Sequence, residues 1–238
     1  MFVLGVDLGQ AADYTALAGL EVRRPIEAAP SDGLCDDSAS RSAMRRMPHD
    51  PPPPLPKRLP EEYAGRLLER LPLGTPYPAV IVRIKQLLAE PELRGAALVV
   101  DATGVGRPVV DMLRQAGLRP LPVVITGGER ATCQEGYYFV PKRDLVSAAL
   151  VLLQDKRLGV AKELPLAGTL VSELLSFRVR ITAAANDVYG AWREGQHDDL
   201  VLALALACWW ATRPQGWVAR WDGRIGPRDW RSELSAKR

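Results

Sequence analysis

Phe2-Val3-Leu4-Gly5-Val6-Asp7-Leu8-Gly9 opens the chain with a run of strand-forming apolar residues, one carboxylate near its end and a glycine after it. The run hardly alternates, as expected of a strand covered on both faces. Burying it in a sheet holds Asp7 at the sheet's rim, where a carboxylate calls for a cation. Residues 10–14 read as a turn and 15–22 as a second strand, which predicts an antiparallel hairpin. Two later segments also set carboxylates beside apolar residues: Leu98-Val99-Val100-Asp101 and His197-Asp198-Asp199-Leu200.

Working outward, residues 24–60 change in composition. Seven of the chain's 20 prolines lie between Pro48 and Pro60. Such a stretch supplies few ladder donors and buries little, so it reads as a disordered or extended insertion. A strand is expected at 63–71. A helix should follow to about residue 90, with Thr75 as N-cap and Pro76 at its first position. A strand at 96–101 ends in Asp101, a helix at 108–116 stops near Gly117, and a fifth strand covers 121–126. Residues 137–140 read as an edge strand or loop. Helices are expected at about 141–154, 164–176 and 198–211, with short strand-like runs at 157–161 and 177–182 and a loop at 183–196. The order predicts an α/β fold, a mixed five-stranded sheet with antiparallel first strands and then parallel ones, flanked by helices.

At 238 residues, 47% hydrophobic and 25% charged, the chain suits one sizeable globular domain. The net charge of +3 does not by itself announce a nucleic-acid binder. Residues 213–238, however, hold seven Arg/Lys and three Asp/Glu together with Trp217, Trp221 and Trp230. They read as a basic tail outside a domain of residues 1–212, fit either for nucleic-acid contact or for docking its tryptophans on the body. Three scattered cysteines and two histidines form neither a disulfide framework nor a zinc site. The apolar run at 200–211 is too short to span a bilayer, no signal peptide is evident, and a cytoplasmic protein is expected.

Clustered aspartates repel one another without cations, and the three acidic motifs contain no Lys or Arg. Phosphodiester hydrolysis needs an activated water and a stabilised leaving oxygen. Two Mg²⁺ or Mn²⁺ ions about 4 Å apart supply both from carboxylate ligands. Asp7, Asp101, Asp198 and Asp199 are therefore candidate catalytic residues and metal ligands. Each also has a plain structural reading: a turn cap for Asp7, an Asx turn for Asp101, and a favourable helix N-terminus for Asp198 and Asp199.

The stretch from Val3 to Gly9 with Asp13-Tyr14-Thr15-Ala16 resembles the opening hairpin of the nuclease domain of tailed-phage large terminase subunits. Val99-Val100-Asp101-Ala102-Thr103-Gly104-Val105-Gly106 is similar to that family's second acidic motif, and His197-Asp198-Asp199-Leu200-Val201-Leu202-Ala203-Leu204-Ala205 to its C-terminal acidic helix. Leu71-Pro72-Leu73-Gly74-Thr75-Pro76-Tyr77 and Val140-Pro141-Lys142-Arg143-Asp144-Leu145-Val146 are also family-like. The resemblance implies an RNase H-like fold and two-metal endonuclease chemistry on double-stranded DNA. Asp7 would bridge two divalent ions, Asp101 would bind one, and Asp199, Asp198 or both would complete the site. Lys142 and Arg143 become candidate DNA-phosphate contacts, and Asp13 is expected to face solvent. Implied partners are a packaging ATPase, a portal and a small terminase subunit, in a bacterial host's cytoplasm.

The sequence contains no Walker A loop, so an excised domain or a stand-alone nuclease is expected. Gly5-Val6-Asp7-Leu8-Gly9 also resembles the phosphate hairpin of actin-like ATPases and sugar kinases. A RuvC-type Holliday-junction resolvase shares the fold and the acidic residues, and a catalytically idle scaffold is a third alternative.

Overall fold

The computed structural model describes residues 1–9, 13–25, 59–104, 106–181, 187–190 and 198–213, the side chains of 178–181 and 187–190 excepted. Ten strands are described: β1 (Phe2–Asp7), β2 (Ala16–Arg23), β3 (Glu62–Arg70), β4 (Ala97–Asp101), β5 (Pro120–Thr126), β6 (Thr132–Gln134), β7 (Tyr137–Pro141), β8 (Leu158–Val160), β9 (Arg178–Ile181) and β10 (Asp187–Gly190). The α-helices are α1 (Tyr77–Ala89), α2 (Gly106–Gln115), α3 (Lys142–Gln154), α4 (Ala167–Ser176) and α5 (Asp199–Ala211).

Eight strands form one mixed sheet in the order β6-β7-β5-β4-β1-β2-β3-β8. As expected, β1 and β2 are an antiparallel hairpin, while β1, β4 and β5 run parallel. The sheet is wider than the five strands expected. Strand β7 pairs parallel with β5, β6 adds an antiparallel edge beyond it, and β8 lies beside β3. β6 is three residues long, too short for periodicity to announce it, whereas β8 falls within the strand-like run expected at 157–161.

Two further expectations are corrected. The sequence predicts a loop over 183–196, but within it Asp187–Gly190 is a strand paired antiparallel with β9. Thr75 is not an N-cap: its hydroxyl donates to the Pro72 carbonyl at 2.5 Å, and Pro76 holds the cap position of α1 without a side-chain cap bond. Gly117, with φ of +82°, stops the chain after α2 as expected.

Residues 23–62 cluster apart from the rest of the chain. Within that unit Arg24 Nε donates to Glu61 at 2.8 Å, and most of the proline-rich stretch lies outside the described residues. So do Trp217, Trp221, Trp230, His49 and His197. Among the described residues no helix is long and apolar enough to cross a membrane.

Alternate residues of the central strands feed two cores. Leu4, Val6, Leu98 and Val100 face a cluster with Val80, Ile84 and Leu87 of α1 and Val109 and Leu113 of α2. Val3, Val99, Leu121 and Val123 face the other side, with Leu145 of α3, Leu170 of α4 and most of α5, including Leu200, Leu204 and Leu206. Every residue of α5 is buried, and the helix packs on β1 and α3. Tyr138 closes its far end, edge-on to Trp209 and Trp210 with ring centroids 5.9 and 5.5 Å apart.

Gly5 sets how closely α5 approaches the sheet. A Cβ at this position would stand 2.0 Å from the Ala203 carbonyl oxygen and 3.1 Å from the Ala207 nitrogen. These are backbone atoms and cannot swing aside. Gly5→Ala should therefore push the helix off β1 and destabilise the protein by about 3 kcal/mol or more. Denaturant unfolding of the variant checks this, and a midpoint equal to wild type would contradict the close approach.

Candidate metal centre

The register of the central strands builds the site. Val6 lies opposite Val100 in the parallel β1–β4 pair, so Asp7 and Asp101 are the next residues out, side by side at the strands' carboxyl ends. Two residues earlier, Gly5 and Val99 face α5, and strand alternation turns both carboxylates to that same face. On α5, Asp199, Ala203 and Ala207 fall four residues apart on one stripe. The contacts of Ala203 and Ala207 with Gly5 therefore bring Asp199 toward Asp7. Exposure is 8% at Asp7, 7% at Asp101 and 4% at Asp199.

The sequence motifs thus meet in space. Burial, then the charges of Asp101, Asp199 and Asp198, push the Asp7 carboxyl well above the ordinary carboxylate range, and Lys142 pulls it back. Asp101 is also raised by burial, against hydrogen bonds from Thr103, one shared with Asp7, and the charge of Lys142. The expected Asx turn is present as well. The Thr103 N–H donates to Asp101 Oδ1 at 2.7 Å, and the Thr103 hydroxyl accepts the Ile125 N–H at 2.7 Å, tying the turn to β5.

The adjacent pair Asp198-Asp199 divides. Asp198 is the N-cap residue of α5 and lies 3.4 Å from Lys142 Nζ. Asp199 is the first helical residue and points inward, its Oδ2 3.4 Å from Arg70 Nη2. The absence of bases from the acidic motifs therefore does not hold in space, since Lys142 and Arg70 arrive from other elements. Arg143 is directed elsewhere, donating to the Glu129 carbonyl at 2.6 Å. Asp13 is exposed, as expected, and lines a cavity of about 320 Å³ with Gly9, Thr15, Pro72, Gly74 and Tyr77.

Sequence reasoning missed two residues. Glu173 lies on α4 and is 7% exposed. It pairs with Arg70 and accepts the Leu200 and Val201 N–H groups at 3.1 Å each. Burial pushes its carboxyl up to about 7, against Arg70 and the two amides. A signal existed, because Glu173 falls at the core spacing of Ala167 and Leu170. Arg70, at the end of β3, carries no such signal.

Among the described residues no three His, Cys, Asp or Glu side chains close a cage on one ion unaided. The donors nonetheless suit a hard divalent cation, which takes a few carboxylate oxygens and completes its shell with water and phosphate. The mutual repulsion at Asp7 is what such a cation relieves.

No protein-family model matches the chain. Its sequence is 29% identical over 140 residues to the large terminase subunit of Thermus phage G20c, covering 59% of this chain and 25% of that protein. The crystal structure of the large terminase nuclease from thermophilic phage G20c superposes with a TM-score of 0.55, at 21% identity, over 90% of this chain and 83% of that one. In sequence and in fold, the chain is similar to the nuclease domain of phage large terminases. Structures of the same nuclease with bound magnesium and with bound cobalt give TM-scores of 0.53 and 0.54 at 24% identity, over 87% of this chain and 80% of theirs. The mixed α/β fold is therefore shared with the terminase nucleases. The chain spans a quarter of the length of the curated relative it matches.

An acid whose pKa rises on folding is held protonated by the folded state. Its effect on stability is most favourable below the ordinary carboxylate range, and stability is lost as pH rises through the folded value. In chelator, Asp7→Asn should consequently melt above wild type, and the gap should widen as pH rises above the ordinary carboxylate range. Melting curves taken from acid to alkaline pH check it, and a gap independent of pH would place Asp7 outside a repelling cluster.

Proposed function

We propose that this chain is a metal-dependent endonuclease that cuts double-stranded DNA, as a terminase cuts concatemeric DNA during genome packaging. The observation that carries the reading is the burial of Asp7, Asp101 and Asp199 together at the carboxyl ends of the central strands, where Asp101 and Asp199 add to burial in raising the Asp7 carboxyl. The metal-bound neighbour structures support the kind of cofactor.

In this proposal Asp7, close to the charges of Asp101 and Asp199, would be the ligand shared by two ions. Asp101 would bind one. Asp199 completes the site from α5, with Asp198 as the outer member of the pair. When bound, two Mg²⁺ or Mn²⁺ ions supply an activated water and neutralise charge on the leaving oxygen. Lys142, beside Asp198 and felt by Asp7 and Asp101, is placed to meet a phosphate of the strand being cut. Arg143, held by the Glu129 carbonyl, would make a more peripheral DNA contact.

Residues 1–212 are assigned to the nuclease domain, with the proline-rich stretch as an insertion and 213–238 as a basic appendage. The proposed setting is a phage or prophage packaging complex in the host cytoplasm, with a packaging ATPase, a portal and a small terminase subunit as partners.

The test is plasmid DNA incubated with Mn²⁺ or Mg²⁺, with a four-way junction as control substrate and ATP turnover measured alongside. Wild type should nick and linearise the plasmid, while Asp7→Asn and Asp101→Asn should lose at least about 100-fold in rate, the scale expected when a metal's ligand is removed. Variants as fast as wild type would refute the assignment, and a preference for the junction would favour a resolvase. Binding of uncut DNA should weaken steeply with salt, because the contacts expected are to phosphates.

A further inference from the structure

Glu173 has an unusual set of neighbours. It sits on α4, 26 residues before Asp199, yet its two oxygens serve different parts of the acidic site. Oε2 accepts the Leu200 and Val201 N–H groups, the amides directly after Asp199 in the first turn of α5. Oε1 binds Arg70 Nη2, the same guanidinium nitrogen that lies 3.4 Å from Asp199 Oδ2. Arg70 also stacks over the Tyr14 ring at 4.9 Å. The helix has no side-chain cap of its own, since Asp198 at the cap position turns to Lys142. Glu173 therefore supplies from another helix the acceptor that the first turn of α5 needs.

The pairing with Arg70 has a second effect. A guanidinium with one carboxylate neighbour gives its full charge to it, with short parallel hydrogen bonds. Here Arg70 is drawn to Glu173, and Asp199 keeps the longer contact. An Asp199 fully engaged by Arg70 would be a poor cation ligand, because its charge and both oxygens would be committed.

We propose that Glu173 is a positioning residue for the metal centre. It fixes the turn that presents Asp199, and it draws Arg70 away so that the Asp199 carboxylate stays available to a divalent ion. This rests on the nuclease reading above. It also assigns Arg70 a role: a built-in competitor for the metal, held in check by Glu173.

The test uses Glu173→Gln, Arg70→Gln and the double variant in the full chain, with Mn²⁺ binding measured by calorimetry and plasmid cleavage followed against Mn²⁺ concentration. Glutamine keeps one oxygen for the Leu200 and Val201 amides but presents an amide group to Arg70. Glu173→Gln should weaken Mn²⁺ binding about tenfold and raise the half-saturating Mn²⁺ for cleavage by a similar factor, with most of kcat returning at saturating metal. Adding Arg70→Gln should restore Mn²⁺ affinity to within about twofold of wild type, because the competitor is gone. A residue that only stabilised the fold would not be rescued by removing its ion-pair partner. An unchanged Mn²⁺ affinity in Glu173→Gln, or a double variant no better than the single, overturns the proposal while wild-type cleavage leaves the nuclease reading standing. If wild type neither binds Mn²⁺ nor cuts, both fall. Should Glu173→Gln not fold, Glu173→Asp takes its place; it keeps the charge on a shorter arm, and Mn²⁺ affinity should fall less than tenfold and recover with Arg70→Gln.

Discussion

The closeness of α5 to the central strand is the constraint on which the rest depends. An all-buried helix lies against β1 with backbone atoms almost touching Gly5. Apolar burial drives that approach, at about 1.5–3 kcal/mol for each fully buried leucine such as Leu200, Leu204 and Leu206. The same packing carries Asp199 into a region that already holds two carboxylates. Hydrophobic contact over three turns thus works against charge repulsion confined to one end. Proteins commonly keep such locally unfavourable arrangements where a ligand will relieve them.

The cations around the cluster qualify the electrostatics. Lys142 attends Asp198, and Arg70 is shared between Glu173 and Asp199. Burial, and then the charges of Asp101, Asp199 and Asp198, hold the Asp7 carboxyl well above its ordinary value. The protein therefore neutralises the margins of its acidic site and leaves the middle to something else. A small, strongly charged cation suits that middle better than a side chain, because the space is bounded by strands that cannot spread.

Much of this was legible in the chain itself. The apolar runs of β1, β4 and β5, and the helices between and after them, have patterns strong enough to survive without tertiary information. The acidic motifs could be picked out because carboxylates beside buried runs are costly and few. The edges of the sheet were legible only in part: the run at 157–161 announced β8, but β6 is three residues long, and the pairing of both is decided by what lies next to them. The division of labour between Asp198 and Asp199 follows from which partner each finds, Lys142 or Arg70, and neither partner is near in sequence. Glu173 was visible only as a charge at a core position of α4. Its meaning required the first turn of α5, a separate element that no local pattern connects to it.

The order in which the pieces occur along the chain has its own consequence. Asp7 and Asp101 lie on strands that are made before α5, and Asp199 arrives on the last helix of the described fold. A chain emerging from the ribosome can pair its central strands long before α5 exists, and domains form as units when their final contacts become available. The acidic cluster is therefore incomplete in every nascent intermediate and is assembled by the same docking step that closes the hydrophobic core. For the nuclease proposed above, latency during synthesis would then require no separate inhibitor, only the lateness of one helix.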